Sequence, residues 1–368
     1  MASKAGRNME ASATTAILHA LPDPVLLLDI EKRIVAANKA AKELLGAQIE
    51  GRSLAMAIRH PDVLDAVNEV LKGGARSQVK ISMLSTVRRS FDIQVASLAA
   101  TSESDADAIL IMHDMTAERN AEQMRADFVA NVSHELRSPL SSLVGFIETL
   151  SGAARDDEAA RDRFLGIMDS EAKRMARLID DLLSLSKVEA NEHIPPEGRV
   201  DLCELLADVR NTLAPRASNR NIRMRIVDPG HPMNVPGDRD ELTEVFHNLI
   251  DNAVKYCPEG TEVSIGIGEV ARIPELGGAG VVVSISDQGE GIPAEHLPRL
   301  TERFYRVDKG RSRSMGGTGL GLAIVKHIVN RHRGYLTVDS TIGEGTVFKV
   351  YLPSDLRPFN QDTRDALS

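Results

Sequence analysis

The sequence predicts a multidomain α+β protein with three regions in order: a mixed α/β domain, an antiparallel helical hairpin and a second, layered α/β domain. The pattern of apolar residues supports this prediction. They alternate in short runs in the first region, recur every three or four residues in the second, and show both patterns in the third. The length of 368 residues also suggests two to three domains.

The composition indicates a folded chain and disfavours a nucleic-acid surface. Hydrophobic residues make up 42% and charged residues 26%, near the averages of globular proteins. The 44 Lys and Arg residues are outnumbered by 53 Asp and Glu residues, and only 3% of the residues are aromatic. Phosphate neutralisation and base stacking would have few suitable side chains, so we expect no direct binding of nucleic acid.

The sequence also indicates a reducing compartment. No apolar run approaches the roughly 18 residues of a membrane-spanning helix, and Asp23 and Pro24 come before a signal-peptide core can form. Cys203 and Cys257 are isolated and lack the spacing of a metal site. We therefore expect a cytoplasmic chain, which would reach a membrane only through an anchor upstream of Met1.

The first region, 15–115, has the pattern of an α+β domain. Short apolar segments between polar turns predict strands near 25–28, 33–35, 79–83, 91–95 and 108–112. A helix is expected over 38–45, because Gly46 is a typical helix-ending residue, and a second helix is expected near 61–71.

The middle region, 116–191, predicts two long helices that form a hairpin around a turn at Gly152. Each helix carries one stripe of mostly apolar residues, Phe128, Val132, Leu136, Leu140, Leu143, Ile147 and Leu150 on the first and Phe164, Met168, Glu171, Met175, Leu178, Leu182 and Leu185 on the second. A single hairpin cannot bury both stripes. We therefore expect a homodimer in which two hairpins form a four-helix bundle.

The third region, 198–355, has the pattern of a layered α/β domain, and the polar residues 356–368 form a tail. Helices are predicted near 201–213, 238–255 and 319–331. The predicted strands lie near 222–227, 262–268, 281–286, 335–340 and 346–352.

His134 is a candidate nucleophile on the first long helix. It lies two residues from both Val132 and Leu136, about 200° around the helix, so it should point away from the apolar stripe. Glu135 can accept a proton from one ring nitrogen while the other attacks. Pro139 should bend the helix just beyond. A lone exposed histidine is usually an ordinary surface residue, so the surrounding motif decides.

Two motifs of the third region suit a nucleotide and its metal ion. Asn248 and Asn252 are one helical turn apart, and their amide oxygens suit Mg²⁺, while Lys255 could neutralise phosphate. Asp287 ends an apolar strand beside Gly289, where it could accept a hydrogen bond from an adenine amino group. Taken singly, these features would be a solvated helix face and a simple turn.

A glycine-rich segment, 316–322, opens a helix whose N–H groups could meet phosphates. It lacks the Gly-Lys-Ser/Thr of a Walker loop and the spacing of a dinucleotide fold. The preceding segment, 303–313, has five basic residues and one acid, which predicts a basic, mobile lid or, alternatively, a solvated loop. The basic residues are Arg303, Arg306, Lys309, Arg311 and Arg313.

In their order along 115–353, these motifs resemble those of the sensor histidine kinases of two-component systems. The matching segments are 128–140 for the phosphoacceptor box, 247–256 for the asparagine box, 287–291 and 317–322 for the two glycine boxes, and 303–306 for the phenylalanine box. Within the family, the segments near His134 and Arg306 resemble the PhoR-type phosphate-starvation sensors. Residues 15–115 resemble a PAS sensor domain, through 21–25, 33–38 and 114–116.

The resemblance implies a dimerising phosphoacceptor bundle followed by a Bergerat-type ATP-binding domain, the type shared with gyrase-like ATPases. His134 would take the γ-phosphoryl group of ATP with Glu135 as base, and Asn252 would hold Mg²⁺. Ser138 stands where kinases that also dephosphorylate their partner often have Thr or Asn, and its hydroxyl could orient a water. The residues expected to bind nucleotide are Asn248, Asn252, Lys255, Tyr256, Asp287, Gly289, Gly291, Ile292, Arg306, Thr318, Gly319, Leu320 and Gly321.

The implied partners are a second copy of the chain and a response regulator, PhoB-like if the subfamily holds, whose receiver-domain Asp would accept the phosphoryl group. His60 and His113 are isolated and identify no PAS ligand. The alternatives are a phosphatase-dominant or scaffold-type sensor, and a gyrase-like ATPase without phosphotransfer.

Overall fold

The computed structural model confirms the mixed α and β class, and its residues fall into two compact units, Met1–Ala130 and Asn131–Ser368. The predicted tail and the lid residues Lys309, Arg311 and Arg313 lie outside the described part of the chain. The structure describes residues 18–74, 76–84, 88–98, 106–152, 154–227, 229–308, 310 and 317–354.

The first unit is built on one antiparallel sheet of five strands, in the order β2-β1-β5-β4-β3. The strands are β1 Val25–Leu28, β2 Ile34–Ala37, β3 Arg76–Leu84, β4 Arg88–Ser97 and β5 Ala108–Asp114, and the helices are α1 Lys39–Leu45, α2 Leu54–Ala57 and α3 Pro61–Leu71. The expected strands and the two expected helices are present. Helix α2 was not predicted, because four residues are too few to show a helical period.

The core of this unit follows the two periodicities of its sequence. Along β5, alternate residues Ala108, Leu110 and Met112 are fully buried. On α3, the buried residues recur at helical spacing and pack into the same cluster: Val63, Ala66, Val67 and Val70.

Asn38 is a fully buried polar residue that joins the start of α1 to the segment before β1. Its Oδ1 accepts hydrogen bonds from the N–H groups of Ala41 at 2.9 Å and Val25 at 3.0 Å. Its Nδ2 donates to the carbonyls of Leu21 at 3.1 Å and Asp23 at 2.7 Å. One side chain thus caps a helix and satisfies three further backbone groups.

The helical hairpin consists of α4 Thr116–Ser151, which begins in the first unit, and α5 Glu158–Asn191. Pro139 lies inside α4 and is buried, and the Phe146 and Phe164 rings stack at 5.1 Å near the turn. The predicted apolar stripe of α5 includes Glu171, which instead lies 3.6 Å from the Arg174 guanidinium. Several apolar side chains of the hairpin remain exposed, namely Leu140, Val144, Ile147, Leu165, Ile179 and Leu183.

The layered domain has a five-stranded sheet in the order β11-β12-β10-β9-β7, with only the β7–β9 pair parallel. The strands are β6 Arg199–Asp201, β7 Arg223–Val227, β8 Asn234–Pro236, β9 Glu262–Val270, β10 Gly280–Asp287, β11 Tyr335–Thr341 and β12 Gly345–Pro353, and the helices are α6 Leu202–Asn219, α7 Arg239–Tyr256 and α8 Gly321–Arg331. A 3₁₀ helix spans Ala294–Arg299. Strands β6 and β8 form a separate pair that the sequence analysis did not predict.

His332 is a fully buried histidine that joins the end of α8 to the start of α7. Its Nδ1 lies 2.8 Å from the Ile328 carbonyl, and its Nε2 accepts a hydrogen bond from the Asp238 N–H at 3.0 Å. Because Nδ1 must donate and Nε2 must accept, the imidazole is neutral with one fixed tautomer. Burial accordingly lowers its pKa below the usual value.

We expect Asn38→Ala to destabilise the first unit by about 2–4 kcal/mol, because two buried N–H groups lose their acceptor and two carbonyls lose a donor. The measurement is hydrogen exchange in increasing urea, on peptides that cover β1 and α1. Asn68→Ala, at a half-buried asparagine of α3, is the control. An equal loss in the two variants would contradict the role assigned to Asn38.

The neutral His332 should make the second unit less stable in acid. The unfolded histidine takes up a proton as the pH falls through about 6.5, whereas the folded one does so only at a lower pH. This contribution to stability is therefore present above about pH 6.5 and is lost below it. We expect His332→Gln, compared with wild type at pH 7.5 and 5.5 by hydrogen exchange of α8 peptides, to lose less stability on acidification. An identical pH dependence would contradict this assignment.

Candidate functional site

His134 and Ser138 lie on the outer surface of α4, one turn apart, and both are exposed. The Ser138 carbonyl accepts a hydrogen bond from the Ser142 hydroxyl at 3.2 Å. Because His134 is exposed, its imidazole is accessible from solvent, as the helical spacing predicted.

Glu135, the residue after His134, is held by two arginines. Its Oε2 lies 2.6 Å from Nη2 of Arg174 on α5 and 3.3 Å from Nη2 of Arg306, which follows the 3₁₀ helix of the layered domain. Both guanidiniums are almost fully buried. Arg174 could not be predicted as a partner of Glu135, since a single cation beside an apolar helix stripe resembles any surface arginine.

The first two arginines of the predicted basic, mobile lid are held by hydrogen bonds and ion pairs, which differs from the prediction. Arg306 is only 5% exposed, and its Nη2 also donates to the Thr318 carbonyl at 2.7 Å. Arg303 lies 2.5 Å from Oε1 of Glu189 on α5. These arginines are fixed because carboxylates and a carbonyl are within reach. Among the described residues, Nε of Arg306 is buried without a hydrogen-bond partner, which leaves one donor for an anion.

The predicted asparagine box lies on α7, where Asn248, Asn252 and Lys255 are half-buried and Tyr256 is 38% exposed. Lys255 Nζ lies 2.6 Å from Oδ2 of Asp251, one turn earlier. The Asp238 side chain caps the start of α7. At the other end, Arg220 donates to the carbonyl oxygens of Val254 at 2.5 Å and Cys257 at 3.0 Å. Both ends of the helix are thus fixed.

Asp287 is the last residue of β10 and is largely buried. Its Oδ1 accepts a hydrogen bond from the Gly289 N–H at 2.8 Å. Burial raises the pKa of this carboxyl, and backbone hydrogen bonds from Gly289 and Thr346 oppose the rise. Such a carboxylate is suited to accept a hydrogen bond from an amine.

The loop after Asp287 is held against β11. Gly291 has φ of 73°, and a Cβ there would lie 2.1 Å from the Thr341 carbonyl oxygen, so only glycine fits. The next residue, Ile292, donates its N–H to the Ser340 hydroxyl at 2.8 Å. The backbone path of this predicted glycine box is therefore fixed.

The second glycine box reaches α7. A Cβ at Gly321, the first residue of α8, would lie 2.8 Å from Oδ1 of Asn248, so the missing side chain permits this approach. Helix α8 begins two residues later than predicted, and Thr318, Gly319 and Leu320 form the loop before it. The Phe304 N–H donates to the Gly319 carbonyl at 2.8 Å. The asparagine, phenylalanine and second glycine boxes thus meet in one place.

The first glycine box lies at the C-terminal end of α7, because a Cβ at Gly289 would be 3.2 Å from the Tyr256 carbonyl oxygen.

The amide oxygens of Asn248 and Asn252 suit a hard cation such as Mg²⁺. The described residues contain no cluster of three His, Cys, Asp or Glu side chains that could hold a metal. A cation here would therefore need phosphate oxygens and water as further ligands.

Comparison with known families matches three segments in order. Residues 18–120 match the PAS fold, 124–191 the His Kinase A (phospho-acceptor) domain, and 237–356 the histidine kinase-, DNA gyrase B- and HSP90-like ATPase domain. The third match makes the layered domain an ATP-binding domain. The phosphoacceptor match in the same chain separates the protein from ATPases without phosphotransfer.

Several curated sensor histidine kinases are similar to this chain. The phosphate regulon sensor protein PhoR of Pseudomonas aeruginosa is 37% identical over 332 residues, which is 89% of this chain and 71% of that protein. The sensor-like histidine kinase SenX3 of Mycobacterium tuberculosis is 32% identical and covers 95% of this chain and 82% of its own length. For the sensor histidine kinase WalK of Bacillus subtilis, at 36% identity, the match spans 67% of this chain and 39% of that protein.

Among solved structures, the histidine kinase ThkA in complex with the response regulator TrrA superposes with a TM-score of 0.51. The match covers 92% of this chain and 98% of that one, and the 21% identity makes it a likeness of fold alone. In the described part of this chain, every helix is too short or too polar to cross a membrane. With the three domain matches in order and PhoR aligned over most of its length, the protein belongs to the family of two-component sensor histidine kinases.

Proposed function

We propose that the chain transfers the γ-phosphoryl group of Mg-ATP to a ring nitrogen of His134, and from there to an aspartate of a response regulator. One observation carries the proposal. The exposed His134 is followed by Glu135, whose carboxylate contacts Arg306, and Arg306 is bonded to Thr318 of the glycine-rich loop. The phosphoacceptor and the ATP-binding domain are thus connected through one guanidinium.

In this proposal Glu135 accepts the proton that the attacking imidazole loses, or holds the ring in the correct tautomer. Its Oε2 is within reach of both Arg174 and Arg306. Withdrawal of Arg306 would leave a lone pair free for the imidazole, while Arg174 would still fix the carboxylate.

We propose that Asp287 binds the adenine amino group and that Tyr256 packs against the face of the adenine ring. Lys255, Arg306, Thr318 and the backbone N–H groups before α8 would bind the phosphates. The Asn252 amide would hold Mg²⁺, which when bound neutralises phosphate charge, and Asn248 would lie beside the phosphates. The remaining residues, Gly289, Gly291, Ile292, Gly319, Leu320 and Gly321, would shape the pocket through their backbone.

We propose a functional division into a PAS sensor at 15–115, a dimerisation and phosphotransfer hairpin at 116–191 and a catalytic domain at 198–355. The exposed apolar residues of the hairpin support a homodimer, because they would be buried in a four-helix bundle. The likeness to PhoR supports a phosphate-related signal and a PhoB-like response regulator. ThkA, which was solved with TrrA, supports a response regulator as partner.

A second activity, dephosphorylation of the response regulator, is favoured by the position of Ser138. Its side chain is exposed one turn after His134, on the same face of α4. A hydroxyl there could orient a water toward a docked phosphoaspartate.

We expect incubation with Mg²⁺ and γ-labelled ATP to label the protein at His134. The label should be labile in acid and stable in base, and His134→Ala should remove it completely because no other residue would be the acceptor. His231→Ala, at an exposed histidine of the same unit, should label like wild type. A PhoB-type response regulator should then remove the label. Label that persists in His134→Ala would contradict the assignment.

We expect Asp287→Asn to weaken ATP binding about 10–100-fold, because a hydrogen bond to a charged acceptor contributes about 1.5–3 kcal/mol. Isothermal titration of the full chain with ATP measures the change. Asp339→Asn, at an exposed aspartate of β11, is the matched control and should leave the affinity unchanged. Equal affinities for both variants would remove Asp287 from the adenine site.

A further inference from the structure

Helix α5 contacts the layered domain next to the proposed phosphate groups. Oδ2 of Asp181 on α5 accepts a hydrogen bond from the Thr318 hydroxyl at 2.6 Å. One turn further along α5, the Ser184 hydroxyl lies 2.7 and 2.8 Å from the two carboxylate oxygens of Glu244. We call these four residues the phosphate-side contact.

Thr318 belongs to the proposed nucleotide site, and Glu244 is on the helix that carries the asparagines of that site. Thr318 lies in the loop before α8, and Glu244 is one turn before Asn248 on α7. Lys255, which we assign to phosphate, also acts on Asp181 through its charge. The Asp181 carboxylate is therefore an anionic oxygen group placed among residues suited to phosphate.

Burial of the two carboxyl groups, Asp181 and Glu244, makes the phosphate-side contact easier to release. Burial raises the pKa of both Asp181 and Glu244, and each of these carboxyls is also affected by a neighbouring acid. A buried carboxylate loses hydration that its hydrogen bond only partly replaces. The phosphate-side contact thus holds charge in a place where a competing anion could displace it.

The Thr318 hydroxyl cannot serve two acceptors. A hydroxyl has one hydrogen, and here it is donated to Asp181 while the oxygen accepts from the Leu320 N–H at 3.3 Å. A phosphate oxygen that binds this hydroxyl must therefore displace Asp181. The Asp181 carboxylate and a phosphate would also repel each other if both lay within hydrogen-bond distance of this hydroxyl.

We infer that Asp181 is an internal competitor of the terminal phosphate of the nucleotide for Thr318, so that ATP, and not ADP, releases the layered domain from this part of α5. The inference rests on the proposed nucleotide site. It concerns a residue on the phosphotransfer hairpin, whereas that site lies in the layered domain.

The release would reach the phosphoacceptor through Arg306. Its Nη2 donates to the Thr318 carbonyl and lies 3.3 Å from Glu135, so a shift of the loop at Thr318 also withdraws Arg306 from Glu135. ATP binding would in this way free the proposed base at the time when the γ-phosphoryl group is present.

The other end of the interface would stay closed. Near the end of α5, Glu192 Oε2 lies 2.8 Å from Nδ1 of His327, and its Oε1 accepts a hydrogen bond from Asn330 at 3.0 Å. Glu189 contacts Arg303 in the same part of the helix. None of these pairs includes a residue of the nucleotide site, so the domain could pivot about this end.

The test is a titration of the full chain with Mg²⁺ and either adenylyl imidodiphosphate, a non-hydrolysable ATP analogue, or ADP. Asp181→Ala should tighten binding of the analogue about 5–10-fold and of ADP less than about 2-fold, since ADP has no terminal phosphate to compete. Asp181→Asn keeps the shape of the side chain and removes its charge. It should also tighten binding of both nucleotides, by smaller factors than Asp181→Ala. Ser184→Ala, which loosens the same interface without touching Thr318, is the matched comparison and should tighten binding of the analogue by less than Asp181→Ala does.

Equal changes for the two nucleotides, or weaker binding of the analogue by Asp181→Ala, would overturn the inference and leave the proposed site intact. Failure of the wild-type chain to bind either nucleotide would overturn the proposed site, and the inference with it.

A second measurement is independent of the variants. Hydrogen exchange of the α5 peptide around Asp181 should rise in wild type with the analogue and stay unchanged with ADP. Equal exchange in both would again overturn the inference.

Discussion

The arrangement of the second unit depends on how one carboxylate is neutralised. Glu135 follows His134, the proposed phosphoacceptor, and two buried arginines lie against its carboxylate. A partly buried carboxylate is stable only with such partners. Because Arg174 comes from α5 and Arg306 from the layered domain, the two ion pairs at Glu135 link α4, α5 and the layered domain.

The ATP-binding domain places its functional groups by close backbone approach. Gly291 has no Cβ to clash with β11, and Gly321 has none to clash with Asn248. These two positions bring the loops after β10 and before α8 up to their neighbours, and the caps of α7 fix the helix that bears the asparagines. Glycine here is required by packing, and the resulting backbone donors are suited to phosphate.

The interface between α5 and the layered domain differs from the cores on either side. Its contacts include hydrogen bonds and ion pairs, such as Thr318 with Asp181 and His327 with Glu192. The core of α7 is instead built from apolar residues such as Phe246 and Leu249, which are fully buried. A polar interface of this kind can exchange its bonds for water or for an anion at modest cost, whereas an apolar core cannot. Such contacts suit the release of the layered domain that we propose.

The fold class, the order of the elements and the motifs could all be predicted from local sequence patterns. Helical spacing located the hairpin and the exposed face of His134, and strand alternation located the sheets, because both depend on backbone geometry that repeats every few residues. Short or weakly patterned elements such as α2 and β6 were missed for the same reason. The burial of Arg306 against Glu135 and the hydrogen bond from the Thr318 hydroxyl to Asp181 could not be predicted in this way. These pairs join residues 171 and 137 positions apart, and such contacts depend on how whole elements pack, which no local period records.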